Sequence, residues 1–136
     1  MMERNFRVGN YLNLGQHSID VQQVTGIYID TEGWVETGEY LISTDICEGE
    51  LISDFYAIPL TEQWLIDFGA NKDTHGFLYI TIGRATFRFL NDEDCFTLRW
   101  QSDVGLSWDL LPDVEYVHHL QNLIFALTDQ ELIKNN

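Results

Sequence analysis

Between Phe77 and Trp100, apolar side chains recur at every second position, the period of strands that bury one face. Gly83-Arg84 breaks the run with the Gly-first signature of a two-residue hairpin turn, which sets Ile82 opposite Ala85, Ile80 opposite Phe87 and Leu78 opposite Phe89. Asn91 to Asp94 makes the next turn. Taken as a four-residue loop, it sets Phe89 opposite Phe96, Phe87 opposite Leu98 and Ala85 opposite Trp100. The pattern predicts a three-stranded meander whose buried face carries Leu78, Ile80, Ile82, Phe87, Phe89, Phe96, Leu98 and Trp100. Its other face carries Tyr79, Arg88 and Thr97 in one row and Thr81, Thr86 and Arg99 in the next.

Upstream, Phe6 to Leu14, Ile19 to Ile29 and Trp34 to Ser43 are rich in β-branched and aromatic residues and read as strands. Around Leu51 to Ala57 a further strand competes with a longer loop opened by Cys47-Glu48-Gly49-Glu50. A short helix follows: Thr61 is its N-cap, Glu62 its first-turn acid and Gly69 its stop, and Leu60, Trp64, Leu65 and Phe68 share one face. Trp64 reads as a core anchor. After a strand over Val104 to Leu110, Pro112-Asp113-Val114-Glu115 opens a helix to Leu127 with a core stripe of Tyr116, Val117, Leu120, Leu123, Ile124 and Leu127. Thr128-Asp129-Gln130-Glu131 has capping-box spacing and predicts a restarted helical turn.

These elements make an α+β fold, a curved, mainly antiparallel sheet, open or partly closed like a small barrel, packed with two helices. The 136 residues suit one domain, and no repeat or linker divides them. Twenty-two acidic residues against seven basic ones give a net charge of -15, whose field repels phosphate backbones and anionic membranes. Direct nucleic-acid binding is therefore disfavoured. Acidity of this kind serves solubility first; it also suits basic partners or imitation of DNA charge. The N-terminus lacks a basic and apolar leader, and no run approaches the ~20 apolar residues of a membrane span, so the expected location is the cytoplasm. Cys47 and Cys95 form no CxxC and read as free thiols.

Candidate chemistry is sparse. No pair among His17, His75, His118 and His119 is spaced i, i+4, and the adjacent His118 and His119 point about 100° apart on a helix, so neither a metal nor another cofactor is expected. Nothing supplies a nucleophile with a base or a Gly-rich phosphate cradle, which makes catalysis the lesser expectation. Two surfaces stand out instead. Three of the basic residues, Arg84, Arg88 and Arg99, fall on or beside the polar face of the meander, where Tyr79, Arg88 and Arg99 could receive a carboxylate or phosphate. On the last helix His118, Gln121, Asn122 and Phe125 share an outward face, with His119 flanking the core stripe.

Ile58-Pro59-Leu60-Thr61-Glu62-Gln63-Trp64-Leu65-Ile66-Asp67-Phe68-Gly69, the stretch from Tyr116 to Thr128 (YVHHLQNLIFALT) and the opening Arg7-Val8-Gly9-Asn10-Tyr11 together resemble a family of small uncharacterised proteins encoded by Bacteroidetes bacteria and their phages or prophages. The resemblance implies a mobile-element setting in a bacterial cytoplasm and carries over no catalytic residue. The expectation is a non-catalytic protein-binding or accessory module with an unidentified protein partner, self-association through the helix face being an open alternative. A DNA-mimicking inhibitor of a nucleic-acid-binding protein is the second expectation and an enzyme of unknown class the third.

Overall fold

A computed structural model describes residues 6–15, 21–32, 35–51, 55–92, 95–102 and 108–134. The chain divides into two compact units, Met1–Ile58 and Pro59–Asn136. In the first unit, β1 (Tyr11–Leu14), β2 (Val21–Glu32), β3 (Val35–Thr44), β4 (Glu50–Leu51) and β5 (Phe55–Tyr56) form an antiparallel sheet in the order β4-β3-β2-β1-β5. Leu12, Val24, Ile42 and Phe55 are its buried centre, with Phe6, Leu14, Ile27 and Cys47 packed against them. The chain enters β1 through a turn that needs its sequence. Gly9 sits at φ 99°, and the buried Asn10 accepts the Arg7 backbone N–H through Oδ1 at 2.7 Å.

The second unit runs α1 (Glu62–Asp67), β6 (Asn71–Lys72), β7 (Leu78–Ile82), β8 (Ala85–Asp92), β9 (Cys95–Ser102), β10 (Asp109–Val114) and α2 (Val117–Thr128), with sheet order β10-β9-β8-β7-β6. The α+β class and antiparallel pairing are as the pattern predicts. Among the described residues, the strands form two open five-stranded sheets, one per unit, and both helices belong to the second. Thr61 caps α1 by accepting the Trp64 N–H at 3.3 Å, and Gly69 follows at φ 101°. Leu60, Leu65 and Phe68 are buried, while Trp64 is half-buried with its ring 5.5 Å from that of Phe68.

The β7–β8 register is the predicted one, from Ile82↔Ala85 to Leu78↔Phe89. The β8–β9 register is not. Phe87 lies opposite Trp100 and Phe89 opposite Leu98, and the ladder continues to Asp92↔Cys95, with Glu93 and Asp94 outside the described residues. A slip of two residues keeps every side chain on its predicted face. It also replaces an Ala85–Trp100 pair with a stacked Phe87–Trp100 pair, ring centroids 5.9 Å apart.

Pro112 opens no helix. It lies in β10, the edge strand, where a missing N–H removes no ladder bond, and the register shifts between Leu111 and Val114. The strand expected over 104–110 falls mostly outside the described residues. Helix α2 begins at Val117, with no acid in its first turn, and its buried residues are Val117, His118, Leu120, Gln121 and Ile124, whereas Leu127 is exposed. The buried face is thus rotated from the apolar stripe towards two polar residues. The chain after the helix explains the rotation: Leu132 is buried, and its carbonyl accepts the Gln121 Nε2–H at 3.2 Å. Thr128 restarts no helix. Its hydroxyl donates to the Ile124 carbonyl at 2.7 Å, and Asp129 closes α2 in the left-handed conformation at φ 60°.

Candidate functional site

The slipped register assembles what the alternation pattern had divided. Arg99 stands directly opposite Arg88, and Arg88 opposite Tyr79, so all three occupy one row across β7, β8 and β9. The row extends to Asn71 on one side and Leu110 on the other. Tyr79 and Arg88 are half-buried, Arg99 is exposed, and Leu110 is 67% exposed.

Arg88 is held on three sides. Its Nη2 lies 2.9 Å from Asp73 Oδ2, and its guanidinium carbon is 4.9 Å from the Phe77 ring centre and 5.6 Å from that of Trp108. Asp73 is itself held by an Asx turn, its Oδ1 accepting the backbone N–H groups of His75 at 2.8 Å and Phe77 at 3.0 Å. Burial works to raise the Asp73 carboxyl. The Arg88 hydrogen bond, the two backbone donors and the Arg88 charge together hold it below its ordinary value.

Arg99 has no such counterpart: among the described residues, no carboxylate pairs with it. Opposite it lie Arg88 and Leu110, along its own strand Thr97 and Gln101, and on the β8 diagonals Thr86 and Leu90, none of them acidic. Among the described residues, this position is therefore left without an acid, although like charges set directly across a sheet repel.

The helix candidates separate. His118 and Gln121 are buried, Asn122 is half-buried and Phe125 is 37% exposed. His118, expected to face outward, lies in the buried face with its ring 6.0 Å from that of Tyr116 and 4.4 Å from that of His119. Gln121 holds the Leu132 carbonyl. The four residues therefore do not form one accessible surface.

Elsewhere among the described residues, chemistry does not converge. Cys47 and Cys95 are free. Cys47 Sγ and Thr44 Oγ1 both donate to Gln22 Oε1, at 3.3 and 2.6 Å, which places no base beside the thiol. Burial, then the charges of Asp113, Asp92 and Glu115, push the Cys95 thiol above its ordinary value and away from nucleophilic use. No cluster of three metal-ligating side chains occurs among the described residues. Two open depressions of 530 and 390 Å³ flank the β7–β8 hairpin and the chain after α2, and neither is lined by a histidine or cysteine. No helix among the described residues is long and apolar enough to cross a membrane.

Sequence reasoning named the arginines and Tyr79 but missed Asp73, Phe77, Trp108 and Leu110. Asp73 before Gly76 is a turn signal that could have been used, and Phe77 continues the outward parity of Tyr79 and Thr81. Compared with protein-family models, curated proteins and solved structures, the chain matches none.

Proposed function

We propose that this chain is a non-catalytic binding module that meets another protein through the outer face of its second sheet. The observation that carries the reading is the row Tyr79–Arg88–Arg99, with Arg99 exposed and lacking a carboxylate partner among the described residues. Arginine and aromatic residues set among exposed apolar ones are the composition of interface hot spots, and Leu110 and Phe77 supply the apolar part. The helix face is the weaker candidate, because two of its four residues are buried and serve packing. An accessory role in a bacterial host's cytoplasm, in a phage or prophage setting, rests on the resemblance of the Ile58–Gly69, Tyr116–Thr128 and Arg7–Tyr11 stretches.

Affinity capture from lysate of a Bacteroidetes host, with and without phage infection, tests the reading through variants. A protein retained by the wild type and by Phe125→Ala but lost with Arg99→Glu is the expected result. Retention by Arg99→Glu with loss in Phe125→Ala would move the interface to the helix. Displacement of the captured protein by competitor DNA would identify instead the imitation of nucleic acid that a charge of -15 permits.

A further inference from the structure

We infer that the partner presents to this face an extended acidic segment in which carboxylate and apolar side chains alternate at every second residue, the carboxylate meeting Arg99 and the apolar group meeting Leu110. This deepens the proposed function and rests on it. The inference starts from charge. In a chain of charge -15, Arg99 stands directly across from the Arg88 guanidinium, which binds Asp73, and no carboxylate among the described residues pairs with Arg99. Asp73 already balances Arg88, so Arg99 carries the guanidinium charge left over in the free protein, and a carboxylate arriving there makes a charge-assisted bond.

Geometry selects an extended peptide. Arg99 and Leu110 are direct cross-strand neighbours. Side chains on one face of an extended strand repeat about every 7 Å against about 5 Å between neighbouring strands, a difference that the flexible Arg99 side chain takes up. Leu110 is 67% exposed, giving the apolar residue of the segment a surface to cover. Nucleic acid fits less well. The chain's many acids repel a long polyanion.

The test is fluorescence anisotropy on the full chain with a labelled short peptide repeating Glu-Thr-Leu-Thr. Comparison probes repeat Lys-Thr-Leu-Thr and Gln-Thr-Leu-Thr, with a single-stranded oligothymidylate as a fourth. Saturable binding of the glutamate peptide alone is expected, weakening with added salt. Arg99→Glu should reduce it by at least about tenfold, the scale of one lost charge-assisted hydrogen bond. Leu110→Ser should reduce it less and Phe125→Ala not at all. Because Arg99 and Leu110 are exposed, circular dichroism should show both variants folded as the wild type is. Absent saturable glutamate-peptide binding, equal binding of the glutamine peptide or undiminished binding to Arg99→Glu would each overturn the inference. Preference for the oligothymidylate would overturn it too. In any of these cases an Arg99-dependent protein from the capture experiment would leave the binding module standing with a different ligand, so the two failures are told apart.

Discussion

Gln121 and Asp73 show how single side chains here hold backbone in place. The amide of Gln121 is fully buried and donates to the Leu132 carbonyl, so it ties the chain after α2 to the helix. Replacing it with alanine strands that carbonyl away from water, and Gln121→Ala is expected to lose about 1–3 kcal/mol in urea unfolding. An unchanged midpoint would mean that Leu132 holds the segment by packing alone. Asp73, in the same unit, joins the Asx turn to Arg88. Its folded pKa is depressed, so its contribution is complete above the unfolded value of about 3.9 and is lost as pH falls through the lower folded value. Thermal midpoints followed below pH 5 should therefore drop less steeply in Asp73→Asn than in the wild type, and the same variant should start less stable at neutral pH.

At the scale of elements, the strand ladder decides what the binding face contains. Alternation along β7, β8 and β9 fixes which residues face out but not which of them meet, because a slip of two positions preserves every face. The Gly83-Arg84 turn fixes the first pairing through its residue types, and that register was legible in the sequence. The second turn carries no comparably restrictive residue. There the stacking of Phe87 on Trp100 and the additional pairs down to Asp92↔Cys95 favour the longer ladder, and Arg99 moves opposite Arg88 as a result. β10 completes the sheet as an edge strand that Pro112 and the register shift beside it protect from further pairing. Pro112→Thr restores the N–H, so light scattering should report more self-association than in the wild type. A variant that stayed as dispersed as the wild type would show that the register shift alone guards the edge.

For the whole molecule, charge is the dominant quantity. Twenty-two acidic and seven basic residues in 136 leave self-repulsion that opposes compactness, and salt screens it over about 8 Å at physiological ionic strength. The melting temperature should rise as sodium chloride is added from low to physiological concentration, while glutamate-peptide binding weakens over the same range. A melting temperature that fell instead would mean that ion pairs such as Lys72–Glu62 outweigh the general repulsion. The two responses have one origin: screening relieves the many acids and weakens the few arginines. Local chemistry in the sequence determined the antiparallel strands, the Thr61 cap with its Gly69 stop, the β7–β8 register and the outward placement of Tyr79, Arg88 and Arg99, since each depends on neighbours in the chain. Tertiary structure alone decided the burial of His118 and Gln121, the strand at Pro112 and the meeting of Arg88 with Arg99, Asp73 and Trp108. These depend on which distant backbone or ring arrives beside each residue, and periodicity holds no record of that.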